Sequence, residues 1–160
     1  MIKFIIFCLI IFVNSKYALS RNIGETEITT DDGIEVFQEE KYYLLKKNVE
    51  IVSDAFELNG DLVKIYFEKD LYDIQELIAS TGVIFNSNEY NIKGKGETLK
   101  FNIQNEKINV SGEKSELFLE TTEMFSDGSI TVDNIAGSFF IKGSNSKLIS
   151  GSIFITGFMI

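Results

Sequence analysis

The chain has 160 residues and a formal net charge of −9, with 44% hydrophobic residues that include 14 phenylalanines, but no histidine and no proline. This length allows one domain. The lack of histidine removes the commonest general base, the usual catalytic triads and most transition-metal sites. The acidic charge argues against nucleic acid as a partner, because phosphate binding relies on a basic surface. We therefore predict a protein that is not an enzyme and that uses no cofactor or metal.

The first 20 residues have the layout of a secretory signal peptide. Lys3 supplies a positive start, residues 4–13 form an unbroken apolar run of ten residues, and residues 18–20 (Ala-Leu-Ser) form a small-residue cleavage site. Because a membrane span takes roughly 17 to 25 apolar residues, we predict removal of residues 1–20 on export, and a single domain over residues 21–160. Retention of the segment as an anchor is the alternative.

Removal of residues 1–20 has two consequences for the exported chain. Cys8, the only cysteine, is lost, so the fold must be held by burial and backbone hydrogen bonds rather than by a disulfide. The segment also carries two lysines and no acid, so that 13 basic and 24 acidic residues remain and the net charge becomes −11.

Beyond the N-terminal segment, apolar and polar residues alternate with a period of two, which is typical of half-buried strands. In DLVKIYF (61–67), for example, Val63, Ile65 and Phe67 share one face. The predicted strands cover residues 34–37, 41–46, 48–52, 55–58, 61–67, 73–79, 82–85, 89–93, 98–103, 107–110, 116–120, 129–132, 138–142, 147–150 and 152–156. So many short strands with no room for helices predict an all-β protein: a sandwich, a jelly roll or a solenoid.

Small polar dipeptides separate these strands. Asn59-Gly60 predicts a two-residue type I′ hairpin, because both central residues of that turn need a positive φ. Similar turns are predicted at Asp32-Gly33, Asp127-Gly128 and Ser144-Asn145, and a bulge or corner at residues 94–97 (Gly-Lys-Gly-Glu).

One segment has a helical alternative. In residues 68–80, Leu71, Ile74 and Ile78 recur at a spacing close to that of a helix. The neighbouring segments are strongly strand-like, and we favour a strand there.

The remaining polar groups do not assemble a reactive site. Asp31-Asp32 and Glu39-Glu40 are adjacent pairs, and neighbouring side chains of a strand point to opposite faces. We expect these carboxylates to lie in solvent, and we expect the scattered lysines to protect strand edges from pairing with other chains.

The order of the segments resembles that of the LptA/OstA-like family of periplasmic lipopolysaccharide-transport proteins. The first half of the resemblance rests on residues that follow one another in the family's order, namely Tyr43, Asn48-Val49, Leu58, Gly60-Asp61 and Ile65-Tyr66. It continues through IQELIASTGVIF (74–85) and residues 94–112 and fades after about residue 120. Lys47 departs from the pattern, since the family has glycine at that point.

The resemblance implies an antiparallel β-jellyroll, twisted and open at both ends, whose apolar interior receives the acyl chains of lipopolysaccharide. It also implies partners in inner-membrane and outer-membrane Lpt complexes, and head-to-tail stacking of copies into a bridge. For the lipid-binding groove we predict ten inward-facing residues: Val63, Ile65, Phe67, Ile84, Ile92, Leu99, Phe101, Ile103, Ile108 and Val110.

Three hypotheses therefore stand. The first is a periplasmic lipid carrier, and the second is a membrane-anchored, LptC-like assembly factor that keeps residues 1–20. The third is a secreted structural β-solenoid with a filled core. The second differs from the first in whether residues 1–20 are removed, and the third differs from both in an apolar interior that is packed shut rather than open to a lipid.

Overall fold

The computed structural model describes residues 22–69, 73–151 and 153–159. These residues form strands and connecting turns, without a helix, and every strand pairing among them is antiparallel. The strands are β1 (Glu27–Thr29), β2 (Ile34–Phe37), β3 (Tyr42–Val52), β4 (Phe56–Phe67), β5 (Ile74–Ser87), β6 (Ile92–Asn102), β7 (Lys107–Ser111), β8 (Ser115–Leu119), β9 (Thr122–Ser126), β10 (Ser129–Asp133), β11 (Ser138–Ser150) and β12 (Ile153–Met159). The predicted all-β, antiparallel jellyroll is confirmed.

The chain runs up and down as a meander of long strands that bend in the middle. Strands β3, β4, β5, β6 and β11 are each 11 to 14 residues long. Strands β7 and β8 together form one further bent strand, because β6 pairs with β8 through its first half and with β7 through its second half. Strands β9 and β10 form another, because β11 pairs with β10 through its first part and with β9 through its last part. Each bent strand therefore contributes to two layers.

The two layers face each other across an apolar core. Layer one contains β2, β7 and β10 together with residues 42–46, 62–67, 74–80, 98–102 and 138–142 of the long strands. Layer two contains β1, β8, β9 and β12 together with residues 49–52, 56–59, 83–87, 92–96 and 146–150. Because side chains alternate along a strand, one face of each layer supplies the core.

A line of backbone irregularities, which we call the corner, joins the two layers. The strand register shifts there between Lys46 and Val49 in β3 and between Ser80 and Val83 in β5. The residues inside these two shifts, 47–48 and 81–82, all have positive φ. An extra residue in a strand bends it and leaves ladder positions unpaired, so these bulges account for the fold of one sheet into two layers.

The predicted hairpin at Asn59-Gly60 is wrong. Gly60 is buried inside β4, opposite Val49 of β3, and both predicted strands on either side of it belong to β4. The other three predicted turns also lie at the corner: Asp32-Gly33 between β1 and β2, Asp127-Gly128 between β9 and β10, and Ser144-Asn145 inside β11. Residues that tolerate a tight turn also tolerate a bulge, and the pattern alone does not separate the two.

The bounds of other predicted strands are also wrong, because predicted turns prove to be bulges inside longer strands. Fifteen short strands become twelve, since several predicted neighbours join across the corner, whereas β1 and β9 were not predicted. Gly96 and Glu97 lie at the corner as expected, although Gly94 lies within β6. The helical alternative is wrong from residue 74 onward, where β5 begins, and Leu71 lies outside the described residues.

Candidate functional site

The candidate site is the apolar interior between the layers, which runs from β1 and β2 at one end to β11 and β12 at the other. Nine of the ten residues predicted for the inner face do lie there. Eight are at most 7% exposed, and Ile103 packs against them at the end of β6. The eight are Val63, Ile65, Phe67, Ile92, Leu99, Phe101, Ile108 and Val110.

The inward position predicted for Ile84 is wrong. Its neighbours Val83 and Phe85 are 1% exposed, whereas Ile84 is 54% exposed on the outer face of layer two. The inward positions of β5 remain odd-numbered from Leu77 through Ala79 to Phe85, across the corner. Val83 and Phe85 are two large apolar residues at odd positions, whereas Ile84 is one at an even position. This difference is visible in the sequence and favours the odd positions as the inner face.

The centre of the interior is packed shut. Phe101 of layer one lies against Phe85 and Phe56 of layer two, with ring centroids 5.6 Å and 6.2 Å apart. Tyr90 closes the side opposite the corner, with its ring 6.1 Å from that of Phe101. At the corner, Val110 occupies the space that a side chain at Gly96 would need, since a Cβ there would lie 2.6 Å from Val110 Cγ1.

The end formed by β1 and β2, which we call the mouth, is open. Ile34 and Val36 of β2 pair with Leu45 and Tyr43 of β3 and so lie on the inner face, yet they are 50% and 46% exposed. A cavity of about 590 Å³ opens beside them. It is lined by Gly24, Glu25, Thr26, Ile28, Ile34, Tyr43, Leu45, Ile65 and Ile74.

The segment that frames the mouth is held by hydrogen bonds to the corner. The Asp31 backbone N–H donates to the Lys47 carbonyl over 3.0 Å, and the Asn48 side-chain amide donates to the Asp31 carboxylate. The Thr30 hydroxyl donates to the Lys46 carbonyl. These contacts fix β1 and β2 on opposite sides of the mouth, so the cavity is a feature of the folded chain rather than a frayed edge.

The opposite end of the interior is open in the same way. Phe139 of β11 pairs with the buried Val132, and Ile155 of β12 pairs with Leu148, so both side chains lie on the inner face. They are 45% and 47% exposed. The interior thus has a packed centre and two apolar ends that water reaches. Sequence reasoning missed these end residues, although the alternation in IEVF (34–37) and SFFIK (138–142) places them on one face with the core.

Two lysines at the rim of the mouth, Lys46 and Lys47, are paired with acidic side chains. The Glu35 carboxylate accepts a hydrogen bond from Lys46 Nζ over 2.5 Å, and this bond raises the pKa of Lys46. Lys47 Nζ lies 3.6 Å from an oxygen of Asp32. Such exposed pairs add little stability, but they leave neither of these two lysines without an acidic partner.

The described residues contain neither a cluster of acidic side chains able to hold a metal ion nor a converging set of reactive groups. The pKa of Tyr90 is raised, chiefly by its burial and further by the charges of Glu89 and Glu106. A raised pKa makes the Tyr90 phenol a weaker acid, and its ring serves here as a packing residue against Phe101. The apolar side chains that are exposed at the two ends of the interior can bind apolar ligands.

Comparison with known proteins gives one informative result. Neither a protein-family model nor a curated protein sequence matches the chain. Among solved structures, it is similar to LptH of Pseudomonas aeruginosa, described as the LptA-homologous periplasmic component of the conserved lipopolysaccharide transport device. The TM-score is 0.62 at 10% sequence identity, over 85% of this chain and 96% of LptH. The fold is that of the LptA-like proteins.

This likeness confirms the predicted resemblance at the level of the fold, and at 10% identity it concerns the fold alone. The match covers nearly all of LptH, so the LptA-like fold is present as a whole. In the parts of the chain that the structure describes, no helix is long and apolar enough to cross a membrane. The first 20 residues lie outside those parts.

Proposed function

We propose that the protein is a periplasmic, non-enzymatic carrier that shields the acyl chains of lipopolysaccharide between its two layers. The observation that carries the proposal is the exposure of inner-face apolar side chains at both ends, Ile34 and Val36 at the mouth and Phe139 and Ile155 opposite. A protein that only needed a core would gain by covering them, because burial of apolar surface is favourable. The LptA-like fold supports the same function.

The driving force is transfer of acyl methylenes from water to the apolar inner face, about 0.8 kcal/mol for each methylene that is fully buried. The cavity of about 590 Å³ at the mouth provides the space that the first part of an acyl chain would enter. The lipid phosphates meet a rim whose lysines are already paired, so recognition rests on the acyl chains more than on the head group.

The two ends also offer unpaired strand edges, which fit the proposed bridge between inner-membrane and outer-membrane transport complexes. Among the described strands, β1 and β2 pair only with β3, and residues 138–142 of β11 pair only with β10. Exposed edges of this kind take up a strand from another chain. We propose that copies of this chain, or related partners, join edge to edge so that their interiors line up.

Residues 1–20 would act in this scheme as a cleavable signal peptide, and residues 21–160 as the single mature domain. Blocking signal peptidase should therefore increase the apparent mass of the protein. An unchanged mass would favour the membrane-anchored, LptC-like factor instead.

Site-specific photo-crosslinking tests the carrier function, and the chain offers a matched pair of positions. Ile34 and Ile84 are both isoleucines about half exposed, but Ile34 lies inside the mouth and Ile84 on the outer face. A photo-reactive phenylalanine at Ile34 should label lipopolysaccharide in cells, and the same group at Ile84 should not. Equal labelling at both positions, or none at Ile34 together with no lipid in the mass spectrum of the native protein, would refute the proposal.

A further inference from the structure

The outer face of layer two contains a second depression, unconnected with the interior. It has a volume of about 650 Å³ and lies between the β5–β6 turn and the β8–β9 turn. Its floor is a row of paired positions across three strands, Asn86 of β5, Lys93 of β6 and Phe118 of β8. Asn88 and Asn91 stand on one wall, and Glu120 and Thr121 on the other.

The asparagines around this depression differ from most of the others in the chain. Six described asparagines use their side chains in hydrogen bonds within the protein: Asn22, Asn48, Asn102, Asn109, Asn134 and Asn145. The side chains of Asn86, Asn88 and Asn91 form no such bond with any described residue, and the same is true of Lys93 and Glu120. Three amides, an ammonium and a carboxylate are therefore directed at solvent around one concave site.

The backbone that carries these groups is fixed. The Ser87 hydroxyl donates to the Ala55 carbonyl over 3.2 Å and accepts a hydrogen bond from the Tyr90 backbone N–H, also over 3.2 Å. The Glu120 N–H donates to the Asn91 carbonyl and so links the two turns. A site held by supporting hydrogen bonds loses little entropy when it binds a ligand.

We infer that this depression binds a sugar unit through Asn86, Asn88, Asn91 and Phe118. Each asparagine offers two donors and one acceptor, which matches the hydroxyl groups of a sugar, since each of them both donates and accepts. The ring of Phe118, held edge-to-face on Phe125 with centroids 5.8 Å apart, provides an apolar floor for the C–H face of a pyranose. Lys93 and Glu120 add one charged donor and one charged acceptor at the sides.

The surroundings favour a compact hydroxylated ligand over a peptide. Strands β5, β6, β8 and β9 all have hydrogen-bonded neighbours on both sides in layer two, so no backbone edge is free at this site to pair with an incoming strand. Recognition must then come from side chains directed at a small polar surface. The four residues proposed to contact the sugar do not belong to the apolar core, so the inference stands or fails independently of the proposed lipid carriage.

Nuclear magnetic resonance of the asparagine side-chain amides tests the inference directly. Protein isolated from cells that express the full chain would be titrated with methyl β-glucopyranoside, with glucuronate, and with sorbitol, which has the hydroxyls but no ring. We expect the amide signals of Asn86, Asn88 and Asn91 to shift with either cyclic sugar, with dissociation constants of about 1 to 10 mM, as a ligand of this size allows. The signals of Asn59 and Asn105, whose side chains are also unpaired but lie elsewhere, should not move.

Paired variants complete the test. Asn86→Ala with Asn88→Ala should weaken sugar binding about a hundredfold, which abolishes measurable binding, since each lost contact is worth about a factor of ten. Asn59→Ala with Asn105→Ala should leave the binding unchanged. Phe118→Leu should weaken the binding of the cyclic sugars while keeping the apolar floor. The absence of any shift at the three amides, equal shifts at Asn105, or equal affinity for sorbitol would overturn the inference.

Discussion

Phe101→Ala tests whether the centre of the interior is packed in solution. The ring of Phe101 is 3% exposed and contacts Phe85 and Phe56 of the opposite layer. Its removal forfeits the transfer free energy of the ring, leaves a cavity between the layers and breaks aromatic pairs, each of which is worth about 0.5–1.5 kcal/mol. We expect the free energy of unfolding to fall by about 3–5 kcal/mol.

Urea unfolding followed by circular dichroism measures this loss. Phe140→Ala is the control, because Phe140 is 51% exposed on the outer face and its truncation should cost less than about 1 kcal/mol. The dependence of the free energy on urea should stay similar in both variants if the folded state keeps its compactness. A cost below about 1 kcal/mol for Phe101→Ala would show that its ring is already solvated and that the interior is open along its whole length.

Three further outcomes follow from single residues. Gly128→Ala should lower the free energy of unfolding by about 1–3 kcal/mol or more, because its Cβ would overlap the backbone carbonyl of Lys142 at the corner. An unchanged free energy in urea unfolding would show instead that the strands move apart to accept the methyl group. Thr81→Asn should raise the free energy of unfolding by about 1 kcal/mol, since Thr81 has φ of 69°, which a β-branched residue tolerates poorly; an unchanged thermal midpoint would contradict this. A backbone hydrogen bond from Ala136, assisted by a neighbouring lysine, lowers the pKa of Asp133, so the stability it confers is present above about pH 4 and is lost as the pH falls through the lowered pKa. The thermal midpoints of the wild type and Asp133→Asn should therefore differ at neutral pH and converge in acid.

The sequence predicts which residues form strands better than it predicts where the strands end. Alternation is local, so Val63, Ile65 and Phe67 are placed on one face from seven residues alone. Whether a strand stops or bends at Asn59-Gly60 depends on its partners, because the bulge in β3 sits opposite that point and requires β4 to bend with it. The position of such a bend depends on which distant segments pair with each other. Local alternation does not contain this pairing, and only the resemblance to a known family indicates part of it.

The candidate site was predictable in its centre and not at its ends. Residues such as Leu99 and Val110 are inward by alternation, and burial follows. Ile34 and Phe139 have the same alternation, yet they differ from the core in lying on strands at the two ends of the layers, where no further strand covers them. A sequence pattern gives the face of a residue, whereas exposure depends on what the rest of the fold places above it.

The contrast between ends and centre also sets the order of events in the proposed function. In the proposed function, an acyl chain at the mouth would cover the exposed Ile34 and Val36 and displace only water, so the full gain of about 0.8 kcal/mol for each buried methylene would be available. In the centre the inner-face side chains already contact one another, and a chain that enters must first separate the layers and break those contacts. Binding should therefore begin at an end. Movement through the centre would then need the layers to separate, and in the proposed function this would occur at the corner, where bulged residues such as Lys47 and Thr81 already interrupt the ladder.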